Sequence, residues 1–128
     1  MPIDYQIDRA RRLILTRAWG TLTDGDILSL KAKLLSDPEF DPDMPELSDV
    51  SAIEQLEVTA AGVRAMVAHD SQNAARRSGF RLALVVPADE AFGMARMYQM
   101  MGDRQDHTVG VFRSRAEAEV WLANGAAR

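Results

Sequence analysis

The sequence predicts an α/β domain: a mixed β-sheet with helices packed on it, in the order ββαβαβαβα. Three observations lead there. Two short runs that alternate apolar and polar residues flank a polar turn at the amino end, the pattern of an antiparallel hairpin. Strand-like segments then alternate with capped amphipathic segments, an order that sets strands parallel through right-handed crossovers. The run from Phe80 to Val86 is almost continuously apolar and stops at Pro87, as expected of a strand covered on both faces.

In the hairpin, Ile3, Tyr5 and Ile7 share one face, and Asp8-Arg9-Ala10-Arg11 forms the turn. Leu13, Leu15 and Trp19 line up in the same way on the return strand, with Ile14 opposite, and Gly20 ends it. Thr23 and Asp26 have the spacing of a capping box, and Leu22 and Ile27 that of a hydrophobic staple. They open a helix whose apolar side holds Ile27, Leu30, Leu34 and the stem of Lys31, and which Ser36-Asp37-Pro38 stops. Residues 37–45 hold three prolines and four acids, the composition of an extended loop, with Phe40 as its anchor to the core.

Leu47–Ile53 reads as a short strand and Glu54–Glu57 as its connection onward. Thr59 caps a second helix with Val58 and Val63 at staple spacing. Its apolar face, Val63, Met66, Val67 and Ala74, is interrupted by Asp70, and Gly79 closes the segment. Asp89 and Glu90 open a third helix, where the dipole favours negative charge, and Gly102 ends it. Val109–Phe112 is the last strand, and Ser114 with Glu117 caps the final helix, which carries Val120, Trp121 and Leu122.

At 128 residues the chain is one domain, 1–128, with its core in about 3–123. A chain of this size buries roughly 65% of its unfolded surface, enough for a core without covalent staples. Cysteine is absent, which excludes disulfides and thiolate chemistry. A net charge of −4 argues against a nucleic-acid partner, which calls for a basic face. No signal-peptide core or run long enough to span a bilayer is present, so a cytoplasmic location with no transmembrane segment is expected. No cofactor is expected: there is no nucleophile elbow, phosphate-binding glycine loop or metal cluster.

The order of these elements, with Trp19-Gly20 before a capped helix, Asp49-Val50-Ser51 on the third strand and Leu82–Val86 on the fourth, resembles the SpoIIAA-like branch of the STAS superfamily. Phe92–Met97, Val111-Phe112, Glu117-Ala118 and Trp121-Leu122 complete the likeness, which covers nearly the whole chain. It implies a small bacterial cytoplasmic protein and a fold also compared with CRAL-TRIO lipid-binding domains. In anti-sigma-factor antagonists a serine at the start of the helix after the third strand is phosphorylated within an Asp-Ser-Ser-Gly-like motif. The matching stretch here is Glu57-Val58-Thr59-Ala60-Ala61-Gly62, without the Asp-Ser pair and with a displaced glycine, so Thr59 stands where the switch residue would.

Each candidate site also has a plainer structural role. Thr59 is an N-cap or a phospho-switch, where a phosphate would add charge at a helix N-terminus and Glu57 would oppose it. Ser51, a second candidate for modification, shares a strand face with Asp49. The pair is either a strand-end hydrogen bond or a ligand group at the carboxyl end of a strand. His69 lies beside Asp70 on a helix. Asp103, Asp106 and His107 sit in a polar stretch without the spacing of a metal site, and no metal is expected. Met94, Met97, Tyr98 and Met101 form a stripe that reads first as core. Phe92, Arg96 and Met100 are left over, as candidates for an interface or a ligand surface.

The expectation is a non-enzymatic regulatory or protein-interaction module, a homodimer, with a protein partner or an apolar small molecule. The alternative is a carrier or sensor of a small apolar ligand or lipid.

Overall fold

The computed structural model describes residues 2–77, 80–102 and 108–126. Five strands form one sheet in the order β1-β2-β3-β4-β5, where β1 is Ile3–Asp8, β2 Leu13–Thr23, β3 Glu46–Glu57, β4 Arg81–Val85 and β5 Thr108–Phe112. β1 runs antiparallel to β2, and every other neighbouring pair is parallel. Helices α1 (Asp24–Ser36), α2 (Ala60–Gln72) and α4 (Asp89–Gly102) make the crossovers, and α3 is a single turn, Ala74–Arg77. Each crossover steps to the next strand in the same direction, so one handedness places α1, α2 and α4 on one face. The last helix, α5 (Arg115–Ala126), follows β5 and packs on the other.

Strand alternation divides the core accordingly. Ile14 and Leu82 point toward the three-helix face and meet Leu34, Val63, Met66 and Tyr98. Leu13, Leu47, Ala83 and Val85 point the other way and meet Ala118 and Leu122 of α5. β2 and β4 are therefore buried on both sides, as a parallel sheet between helices requires. The register pairs Ile7 with Ile14 and Ile3 with Ala18, so Ile14, rather than Leu13 and Leu15, continues the face of Ile3, Tyr5 and Ile7.

The expected caps form. Thr23 and Asp26 make a reciprocal capping box, and Leu22 and Ile27 pack together as the staple predicts. Ser114 accepts from the Glu117 N–H at 3.2 Å. Phe40 reaches the core ring of Phe80, with centroids 6.0 Å apart.

Two expected strand ends need correction. Gly20 does not end β2. It takes φ +64, a left-handed conformation glycine adopts without a Cβ clash, between two register shifts, and the strand runs on to Thr23. β3 likewise extends through Glu57, because Thr21, Leu22 and Thr23 pair with Gln55, Leu56 and Glu57. The one-turn α3 was not anticipated. Gly79 lies outside the described residues. Beyond Asp49, the last β3 residue paired with β4, the β2–β3 pair projects as a two-stranded arm.

The loop after α1 is held to the hairpin by Tyr5, whose hydroxyl donates to Asp37 Oδ2 at 2.6 Å. Partial burial, then the Asp37 acceptor and its charge, push the Tyr5 phenol up to about 12. The Asp37 carboxyl lies below the usual range, chiefly because Tyr5 donates to it and then because the Glu39 N–H does. Tyr5 therefore contributes stability below its unfolded value, about 10, that is lost as pH rises toward the folded value. Asp37 contributes above its unfolded value, about 3.9, and loses that contribution as pH falls through the folded one. The absorbance titration of folded wild type minus that of Tyr5→Phe should isolate a phenol ionising near pH 12. A difference curve centred near 10 would mean that the Tyr5–Asp37 bond does not hold in solution.

Candidate functional site

Between the sheet and α1, α2 and α4 lies a cavity of about 120 Å³. Its walls are apolar: Leu30 and Leu34 from α1, Val63 from α2, Met94 from α4, and Leu82 and Leu84 from β4. Partly buried Val50, Ile53 and Leu56 extend the lining along the β3 arm. The arm explains the space. Past Asp49, β3 keeps β2 on one side but has lost β4 on the other, so the inner face of the arm has no third strand beside it.

Two polar features break the apolar lining. On the sheet, Thr16, Glu46 and Ser48 occupy inward positions of β2 and β3, all buried. Thr16 donates to Glu46 Oε2 at 2.7 Å. On the helices, Lys31, Asp70 and Tyr98 meet, one from each of α1, α2 and α4. The Lys31 ammonium donates to both Asp70 oxygens at 3.1 and 3.3 Å and to the Tyr98 hydroxyl at 3.0 Å. Tyr98 in turn donates to Asp70. The Lys31 side chain is 11% exposed and that of Asp70 1%, so this is a desolvated pair whose lone pairs are met by a third group. The His69 ring nitrogen Nδ1 lies 3.9 Å from Asp70.

The residues singled out from sequence lie elsewhere. Thr59 caps α2: its hydroxyl accepts from the Gly62 N–H at 2.9 Å and donates to Asp24 Oδ2 at 2.7 Å. Asp24 also accepts from the Thr59 N–H at 3.0 Å, so one carboxylate sits at the positive ends of both α1 and α2. Gly62 lies so close that a Cβ there would strike Asp24. A phosphate on Thr59 would displace this carboxylate and set two anions together. Ser51 donates to Asp49 Oδ1 at 2.6 Å, with the Ser51 N–H adding a second bond at 2.9 Å. The pair lies within β3 rather than at its carboxyl end, because the strand continues to Glu57. Asp49 shares the α5 face of β3 with Leu47, away from the cavity.

Met94, Met97 and Met101 pack on the core around Tyr98, as the stripe implies. Phe92 lies under the Arg113 guanidinium, 4.0 Å from its ring centre. Arg96 is exposed and donates to Gln99, and Met100 is 63% exposed. Spaced four apart on α4, the three share the side of the helix opposite the cavity-lining Met94 and Tyr98. Asp103, Asp106 and His107 lie outside the described residues. Among the described residues, no helix is long and apolar enough to cross a membrane.

This chain's mixed five-stranded sheet with its packed helices matches a SpoIIAA-like fold. Its structure is similar to that of an uncharacterized protein of the DUF3478 family from Shewanella loihica PV-4, with a SpoIIAA-like fold, at a TM-score of 0.60. The two chains are 18% identical, and the match covers 94% of this chain and 93% of the other, so the likeness is one of fold. No family model and no curated protein matches the chain.

Sequence reasoning missed both polar features. Asp70 was visible as a break in an apolar stripe, and Lys31 and Tyr98 each stood on an apolar side of a helix. No fixed spacing links positions 31, 70 and 98, so nothing in the linear pattern pairs them. Glu46 and Ser48 carried a similar signal: polar residues two apart at the start of a buried strand.

The helix cluster makes a quantitative prediction. Asp70→Leu alone strands the Lys31 ammonium and should cost about 3–5 kcal/mol in urea denaturation. Adding Lys31→Met should recover most of that loss. Losses that simply add would show that the two charges are not coupled.

Proposed function

We propose that this chain is a non-enzymatic binding module that holds a small, largely apolar molecule between its sheet and α1, α2 and α4. The cavity carries the reading: about 120 Å³ with apolar walls and a few buried polar groups to orient an occupant. An engineered apolar cavity of roughly 150 Å³ takes up benzene, so this one suits an occupant near that size rather than a whole lipid chain. The CRAL-TRIO comparison implied by the sequence points the same way, toward apolar cargo.

A fragment screen by ¹⁵N-resolved NMR, with compounds of about six to ten heavy atoms, tests this. Binders should shift the amides of Leu84, Met94 and Tyr98, and Ala95→Phe, which plugs the cavity, should abolish those shifts while the protein stays folded. If no fragment moves those amides, or if Ala95→Phe leaves binding intact, the reading fails.

A second reading, a regulatory protein-interaction module that self-associates, draws on Trp19 and Met100, large apolar side chains 37% and 63% exposed. On that reading Met100→Glu should change stability by less than about 0.5 kcal/mol, as for an ordinary surface position. It should also shift sedimentation from dimer toward monomer. A wild type that sediments as a monomer at all concentrations removes this reading.

A further inference from the structure

We infer that the occupant of the cavity is a small apolar amine whose ammonium group is held by Glu46. The inference rests on the proposed binding function and names the chemistry of its ligand. Glu46 is 7% exposed and lines a cavity whose remaining surface is mostly hydrocarbon. Its Oε2 accepts one hydrogen bond, from Thr16 at 2.7 Å, and Oε1 accepts none from any described residue. No described basic side chain forms an ion pair with it. A carboxylate removed from water is strongly destabilised unless a cation or several donors meet it.

The nearby charges do not supply that cation. Lys31 is the cationic side chain in the cavity wall, and its three donors are committed to Asp70 and Tyr98. The sheet side therefore presents a carboxylate with one hydroxyl donor and no cationic partner among the described residues, with hydroxyl oxygens beside it. The hydroxyl of Ser48, two residues along on the same face of β3 and 6% exposed, makes no hydrogen bond to a described residue, so it remains available to the same ligand head. An ammonium has three donors, enough for Glu46 Oε1 and the Ser48 hydroxyl with one remaining. Its hydrocarbon body would lie against Leu82, Leu84, Val63 and Met94. An anion or a carboxylic acid is disfavoured by the same charge, and a plain hydrocarbon leaves Glu46 unmet.

The test is an NMR or calorimetric titration of the whole protein at pH 7 with benzylamine, benzyl alcohol, toluene and benzoate, which share one ring and differ at the head. Benzylamine should bind at least about tenfold more tightly than toluene or benzyl alcohol, as expected for a charge-assisted bond, and benzoate should not bind. Glu46→Gln keeps the side chain's shape and should erase the advantage of the amine while leaving toluene binding unchanged. If toluene or benzyl alcohol binds as tightly as benzylamine, or if the advantage survives Glu46→Gln, the assignment to an amine is overturned though the cavity still binds. If none of the four shifts the cavity amides, the binding function falls with it. Should Glu46→Gln fail to fold, the ranking of the four compounds on wild type decides the assignment.

Discussion

The contact on which the helical layer depends is the junction of Lys31, Asp70 and Tyr98. There α1, α2 and α4 exchange strong directional bonds, with the ammonium 3.1 Å from the carboxylate and 3.0 Å from the phenol. Apolar packing alone leaves helices free to slide over a sheet, because dispersion and burial have little direction. A desolvated ion pair completed by a hydroxyl does not slide, since every displacement strands a buried charge. Asp24 performs a related task at the other end of the layer, joining the N-termini of α1 and α2 through Thr59.

That pinning bears on the cavity. A core normally closes over empty space, and the cost of a void grows with its volume. Here the helices are held at fixed separations by polar bonds, and β3 leaves β4 at Asp49 to follow β2 alone. The layers therefore cannot collapse fully along the arm. The arm exists because Gly20 accommodates two register shifts and lets β2 continue to the cap of α1. The arm built on the backbone geometry of one glycine, and a buried ion pair between two helices completed by a hydroxyl from a third, both border the space beside Glu46.

Much of the architecture was legible in the sequence because it is encoded locally. The capping boxes at Thr23 and Ser114, the Thr59 cap, the hairpin and the doubly buried strand ending at Pro87 each draw on residues within a few positions of one another. The methionine stripe of α4 was also legible, since helical spacing alone separates Met94, Met97 and Met101 from the exposed Met100. Strand ends were misjudged where local and tertiary signals conflict. Gly20 looks like a terminator until β3 is present to pair with Thr21–Thr23, and Glu54–Glu57 looks like a polar connection until it pairs in return.

The fold class, nearly all of the elements and the positions of the caps are encoded locally, because periodicity and capping act over three or four residues. Which polar residues matter depends instead on how distant parts of the chain pack together. Ser51 and Asp49, chosen for their closeness in sequence, bond to each other on the face away from the cavity. Lys31, Asp70 and Tyr98, separated by 39 and 67 positions from Lys31, bond at the centre of the helical layer. Glu46 draws its meaning from what surrounds it: apolar walls, one threonine hydroxyl and a neighbouring cation already engaged. The value of a buried charge is set by its partners, and in this chain those partners are brought together by crossover connections that no local pattern records.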